Sequence, residues 1–177
     1  AAAVVLSGFS IYKDNHQKNS TDGTITLRMA QTSSQTGAIG QSMDAFADRI
    51  YDETGGKYKI ETYHNGQLGA EIDTIEGCQM GTIDIAVVNQ STIGNFINDF
   101  QALDVPYLIT STEQADAVFL GDIGTRFLDK LSGVQLYGLG IWESGFRNLT
   151  NSKRDVNSVD DVAGLKMRTM ENQVHIA

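Results

Sequence analysis

The chain has 177 residues, of which 41% are apolar and 20% charged, with a single proline. This length and composition allow a globular fold with a well-buried core and exclude a disordered or fibrous protein. The net charge of -9, from 22 acidic and 13 basic residues, argues against a surface for nucleic acid or anionic membrane, since both need a positive field. An anionic ligand would have to be held locally, by a few placed cations. The single Cys78 excludes an intramolecular disulfide framework and a cysteine zinc site.

The first 23 residues lack the pattern of a folded domain. Residues 1–8 are small and apolar but too few to span a bilayer, and we interpret them as the tail of a secretory signal. A partly ordered N-terminal strand is the alternative. Phe9 stands where a bacterial lipobox would carry its acylated cysteine, so lipidation is not predicted. Residues 9–23 are polar without periodicity and predict a flexible tether.

From residue 24 onwards, strand and helix patterns alternate. Period-2 alternation predicts strands at residues 24–30 and 57–63, and a continuous apolar run predicts a buried strand at 83–88. Apolar residues at helical spacing predict one helix that stops at Gly55 and a second that stops at Gly81. The order strand, helix, strand, helix, strand implies right-handed crossovers and a parallel sheet, which is the pattern of an α/β lobe.

The second half of the chain is less regular. A capping sequence at residues 111–114 predicts a third helix that reaches Leu131, followed by a strand at 134–141. Residues 143–155 are polar and predict a loop or a crossing between lobes. A capped turn at 158–162 and a strand at 165–170 are expected next. Because too few residues follow that strand to cover it, we expect a C-terminal portion to be missing.

Polar loops follow the first and third predicted strands, at the edge of the sheet where open α/β folds bind ligands. Gln31 opens the first loop and Asn89 opens the second, and both loops are uncharged and rich in hydrogen-bonding groups. An ordinary polar loop with a helix cap is an equally good interpretation of either loop taken alone.

Two arginines, Arg147 and Arg168, are the more discriminating feature. A guanidinium group is a planar fork of donors that matches a carboxylate with two parallel hydrogen bonds, which a lysine cannot reproduce. An acidic protein that binds an acid would need such a fork, although a lone arginine after a strand is more often a surface salt-bridge partner. Trp142, Phe146 and Tyr107 could wall a cleft, but each is more often part of a core.

Four short blocks, taken together and in order, resemble the solute receptors of tripartite ATP-independent periplasmic (TRAP) transporters, the DctP family. They are NGQLG at residues 65–69, GTIDIA at 81–86, WESGFR at 142–147 and GLKMR at 164–168. The resemblance covers residues 24–177. It implies an α/β, periplasmic-binding-protein-like fold whose two lobes have parallel-sheet cores, present here as an N-terminal fragment. Residues 1–23 would be a signal remnant and tether, 24–143 the first lobe, and 144–177 the incomplete start of the second.

The resemblance also implies the function and the site. Such a receptor closes around a small organic acid and delivers it to the subunits of an ion-driven TRAP membrane permease. By similarity, Arg168 forms the principal salt bridge to the ligand carboxylate, Arg147 makes a supporting contact, and Asn89 and Gln31 contribute from the first lobe. A monomer in the periplasm or another extracytoplasmic compartment is expected, with no cofactor, no metal and no nucleic acid.

Two other function classes stay open at this point. A ligand-sensing domain of a signalling protein would use the same two-lobed fold, and so would an enzyme built on a periplasmic-binding-protein fold. An enzyme is not predicted, because the sequence shows no nucleophile, base or metal cluster at a workable spacing. His16, His64 and His175 are far apart in the sequence, in a tether, a turn and a chain end.

Overall fold

The structure, a computed structural model, describes residues 2–7, 23–170 and 172–176. Five strands and six α-helices follow one another in this part of the chain: β1 Ala2–Ser7, β2 Ile25–Gln31, α1 Ala38–Glu53, β3 Tyr58–Tyr63, α2 Glu71–Met80, β4 Ile85–Asn89, α3 Gln90–Ile93, α4 Thr112–Phe119, α5 Asp122–Lys130, β5 Tyr137–Glu143 and α6 Gln173–Ile176. Short 3-10 helices lie at Asn98–Asp104, Leu131–Val134 and Val159–Val162. No helix in the described ranges is long and apolar enough to cross a membrane.

The five strands form one sheet in the order β3-β2-β4-β1-β5. Strand β2 pairs in parallel with β3 on one side and with β4 on the other, through the helical crossovers α1 and α2. Strand β1 lies between β4 and β5 and is antiparallel to both. The predicted α/β class with a parallel sheet is therefore confirmed, with one antiparallel strand in addition.

The N-terminal segment was expected to be a signal remnant followed by a tether. In the structure Ala2–Ser7 is an ordered strand, which corresponds to the alternative interpretation of this segment. Whether it is also the end of a secretory signal stays a prediction. The predicted tether falls on residues 9–23, of which all but Gly23 lie outside the described residues.

Helices cover both faces of the sheet, because alternate residues of each buried strand point to opposite sides. On the α1 face, Met29, Ile85 and Val87 pack with Met43 of the helix, and Trp142 of β5 packs against this cluster. On the other face, the core cluster comprises Ala30, Ile75, Cys78, Ile83, Ala86, Val88, Ile93, Phe100, Leu131 and Leu136. Burial raises the pKa of the Cys78 thiol to about 12, so this side chain is an unreactive part of the core.

Two predicted elements are wrong, and two are shifted. The predicted third helix is two helices, α4 and α5, which meet in a tight turn where a Cβ at Gly124 would collide with the carbonyl oxygen of Phe119. Residues 165–170, predicted as a strand, have no regular structure, since no described strand lies beside them to complete their hydrogen bonds. The strand predicted at 83–88 is Ile85–Asn89, and the one predicted at 134–141 is Tyr137–Glu143.

Candidate functional site

Gln31 and Asn89 lie on the same face of the sheet at its carboxyl edge. Gln31 ends β2 and is the register partner of Val87, and Asn89 ends β4 two residues further on. Val87 belongs to the cluster on the α1 face, so the alternation of side chains places both amides on that face. Strand spacing and rise put their Cα atoms about 8 Å apart. One small ligand can therefore reach both side chains.

Three buried amide oxygens at this edge lack a hydrogen-bond partner among the described residues: Gln31 Oε1, Asn89 Oδ1 and Gln90 Oε1. An unpartnered buried acceptor costs roughly 1–3 kcal/mol, and native proteins contain few of them. Their concentration at the ends of two neighbouring strands is typical of a binding site whose ligand supplies the missing partners.

Two consecutive hydrogen bonds, through His64 to Asp44, hold the side chain of Gln31. Its Nε2 lies 2.7 Å from His64 Nδ1, and His64 Nε2 lies 2.9 Å from Asp44 Oδ1 of α1. Gln31 is 2% exposed and His64 is 5% exposed, so these hydrogen bonds are shielded from solvent at both residues. The sequence pattern places His64 only in a turn. Its position directly after β3, the neighbour of β2, is the signal that could have indicated this contact.

Asp44 is ionised at neutral pH. The Gln35 amide, which donates to Asp44 Oδ2 over 2.9 Å, is the largest cause that lowers the pKa of this carboxyl, and Thr62 and His64 act in the same direction against the effect of burial. A carboxylate only accepts hydrogen bonds, so His64 Nε2 carries the proton in their contact. An imidazole with this single proton accepts the Gln31 amide at Nδ1.

Glu71 connects the loop after β2 with α3. This residue begins α2, and its carboxylate accepts hydrogen bonds from Thr32, which follows Gln31, and from Thr92 of α3. The contact with Thr32 is 3.4 Å long, so it is the weaker of the two. Glu71 thus fixes the loop after β2 relative to α3, next to the candidate site.

A buried carboxylate, Asp104, organises the other side of the same edge. Its side chain is 2% exposed and accepts from Gln90 over 3.2 Å, from Asn172 over 3.0 Å and from the Ser91 hydroxyl. His175 Nε2 lies 3.1 Å from the same carboxylate. Asp104 therefore ties residues 172–176 to α3, which directly follows Asn89 where the sequence predicted a polar loop. No local sequence pattern predicts this cluster, because its members are up to 85 positions apart, as are Gln90 and His175.

The two predicted arginines are exposed. Arg168 makes a contact of 3.9 Å from Nη1 to the sulfur of Met170, and no described carboxylate lies within ion-pairing distance of Arg168 or Arg147. Arg154, between them, is used differently, since it donates to the carbonyl oxygens of Asp161 and Ala163. Neither Arg147 nor Arg168 hydrogen-bonds to Gln31 or Asn89, so the structure does not join the two pairs of predicted residues.

A pocket of about 90 Å³ lies next to Gln90, and none of Gln31, Asn89, Arg147 and Arg168 is among its lining residues. Gln90, Glu143 and Phe146 are among its lining residues, together with apolar side chains of the 105–119 segment. Phe146, one of the predicted aromatics, thus walls this pocket. Trp142 packs edge-on against Phe46 in the core, at a centroid distance of 6.4 Å, and Tyr107 is 92% exposed.

In the ranges that the structure describes, no three His, Cys, Asp or Glu residues are grouped so that they could hold a metal ion.

A family model described as bacterial extracellular solute-binding protein, family 7 (DctP), matches residues 29–177. The chain belongs to this family. Among the curated DctP-like relatives, a solute-binding protein of Verminephrobacter eiseniae is 41% identical over 152 residues, which are 86% of this chain and 45% of the relative. A C4-dicarboxylate-binding protein of Bacillus subtilis is 31% identical over 93% of this chain and 47% of its own length.

Solved structures agree with this membership of the DctP family. A sugar acid binding protein of Advenella mimigardefordensis, in complex with galactonate, superposes with a TM-score of 0.84 at 34% identity, over 86% of this chain and 49% of that one. A TRAP periplasmic solute-binding protein of Polaromonas, bound to D-erythronate, has a TM-score of 0.82 at 36% identity, over 85% and 50% of the two chains. The chain spans about half the length of the relatives it matches.

Proposed function

We propose that this chain is part of an extracytoplasmic receptor that binds a small organic acid and delivers it to a TRAP membrane permease. Residues 24–143 would form the first lobe and 144–177 the start of the second. The receptor would act as a periplasmic monomer, and its role would be binding rather than catalysis. Relatives that are named as solute-binding proteins support transport over sensing.

The observation that carries the proposal is the pair of exposed arginines without a described carboxylate partner, Arg147 and Arg168, in a chain of net charge -9. An acidic surface repels anions at a distance, so an acid must be held by local cations with good geometry. The guanidinium fork of Arg168 supplies two parallel donors, and Arg147 supplies a second cation. In the proposal, Arg168 forms the principal contact and Arg147 supports it.

The first lobe would complete the site from the opposite side. Gln31 and Asn89 present amide oxygens without described partners at the carboxyl edge of the sheet. As the lobes close, the ligand carboxylate on Arg168 would bring the rest of the molecule to these amides. The acid thereby favours the closed state, because only that state offers it both sets of contacts.

The proposal is tested by a thermal-shift experiment on the full-length receptor with a panel of small organic acids, neutral sugars and amino acids. A ligand that binds only the folded state raises the melting temperature. We expect one class of acids to stabilise the protein and the neutral compounds to leave it unchanged. Stabilisation by neutral compounds alone, or by none of the panel, would contradict the proposed function.

A further inference from the structure

Two hydrogen bonds connect Asp44 through His64 to Gln31, and we call this arrangement the Asp44–His64–Gln31 chain. It determines which end of the Gln31 amide is left for a ligand. An amide can present either its NH2 donors or its oxygen acceptor, and the choice depends on what its other end must satisfy. Here that other end is held by a buried histidine, which is itself oriented by a carboxylate.

The orientation follows step by step from Asp44. The ionised carboxylate accepts from His64 Nε2 over 2.9 Å, so an imidazole with a single hydrogen carries it on Nε2 and accepts at Nδ1. Gln31 must then turn its NH2 group toward His64 Nδ1, at 2.7 Å. Its Oε1 is left buried and without a described partner. A ligand beside it can satisfy this oxygen only by donating a hydrogen bond.

Gln90 shows the same arrangement at the neighbouring strand. Its Nε2 donates to the buried carboxylate of Asp104 over 3.2 Å, which leaves Gln90 Oε1 unpartnered among the described residues. Asn89 differs, because neither end of its amide is held by a described hydrogen bond, so it can turn either way. The fixed amides at this edge thus present acceptors.

We propose that the Asp44–His64–Gln31 chain makes Gln31 Oε1 an obligate acceptor in the ligand site, so that the receptor selects a hydroxylated acid over a plain carboxylate or dicarboxylate. The inference rests on the proposed function, since it assumes that Arg168 and Gln31 hold the same ligand. A hydroxyl group donates to Oε1, whereas the second carboxylate of a dicarboxylate brings only acceptors to it. Two acceptors facing each other leave both unsatisfied, at the cost of a buried unmade hydrogen bond.

The test compares hydroxylated acids with acids of the same carbon skeleton that lack hydroxyl groups, and with the dicarboxylate succinate. Binding of D-erythronate against butanoate, of D-gluconate and D-galactonate against hexanoate, and of all three against succinate is measured by calorimetry on the full-length receptor. We expect the best hydroxylated acid to bind at least about tenfold more tightly than butanoate, hexanoate and succinate. A non-hydroxylated acid that binds as tightly as the best hydroxylated one would overturn the inference while leaving the carboxylate receptor intact.

Substitutions distinguish the role of Gln31 Oε1 from that of His64, which orients the amide. Gln31→Met removes Oε1 at similar length and should reduce the preference for the hydroxylated acid by about tenfold, with little change for succinate. Gln41→Met, at an exposed glutamine of α1, is the matched control and should leave both affinities unchanged. An unchanged preference in Gln31→Met would refute the role of Gln31.

His64 is a positioning residue and has its own measurement, which needs no mutation. The nitrogen chemical shifts of its imidazole should show Nε2 protonated and Nδ1 unprotonated in the ligand-free receptor at neutral pH. In His64→Leu the Gln31 amide is released, so the preference for hydroxylated acids should fall while succinate affinity is kept. Protonation on Nδ1, or an unchanged preference in His64→Leu, would refute the proposed mechanism. If the unmodified receptor binds none of the acids, that result instead contradicts the proposed function.

Discussion

Replacing Arg168 with alanine should weaken binding of the acid ligand by about 2–5 kcal/mol, which is roughly 30-fold or more. The substitution leaves the ligand carboxylate inside a closed site without its two charge-assisted hydrogen bonds. Arg168 is exposed, and its one described contact in the structure is with the sulfur of Met170. The substitution should therefore change the free energy of unfolding very little. Calorimetric titration of the full-length receptor measures the loss, and its unfolding transition checks the stability.

Two further variants make this result specific. Arg168→Lys restores the charge without the planar fork and should recover only part of the affinity. Arg126→Ala removes another exposed arginine, on α5, for which no ion pair is described, and it should bind as the unmodified receptor does. If Arg168→Ala and Arg126→Ala bind the acid equally well, Arg168 is not the principal ligand contact.

Replacing Asp104 with alanine should reduce the free energy of unfolding by about 3–5 kcal/mol. The side chain is 2% exposed and receives the amides of Gln90 and Asn172, the hydroxyl of Ser91 and the imidazole of His175. Without it, several buried donors lose their acceptor at once. Urea unfolding of the full-length receptor measures this loss. The slope of the unfolding free energy against urea concentration should be the same for the variant and the unmodified receptor.

The matched control for this variant is Asp99→Ala, in the same 3-10 helix. Asp99 pairs with Lys130, but its side chain is 56% exposed, so its removal should cost less than about 1 kcal/mol. Equal losses for the two variants would mean that Asp104 does not hold residues 172–176 against α3. A smaller loss in Asp104→Asn than in Asp104→Ala is expected, because asparagine keeps one acceptor oxygen.

The part of the fold that local periodicity determines could be predicted from the sequence. The alternation at residues 24–30 and 57–63 and the helical spacing around Met43 and Ile75 gave the strands and helices of the parallel sheet correctly. These patterns are short-range, because each is the burial of one face of one element. The ends of β2 and β4 followed from the same patterns, so Gln31 and Asn89 could be placed at the carboxyl edge.

The rest depends on contacts between distant residues. No local pattern brings Asp44, His64 and Gln31 together, since they come from one helix and two different strand ends. The alternation at 165–170 resembles a strand, but a strand also needs a neighbour, and the described residues provide none. The break between α4 and α5 depends on the close approach of Gly124 to Phe119, which the amphipathic pattern across both helices conceals.

The most direct measurement compares the tightest-binding acid with its own primary amide, titrated into the full-length receptor under the same conditions. The amide keeps the size and the hydroxyl groups of the acid but loses the charge that Arg168 and Arg147 would hold. A carboxylate receptor should bind the amide at least about thirtyfold more weakly than the acid. An amide that binds as tightly as the acid would contradict the account, because the arginines would then not be recognising a carboxylate.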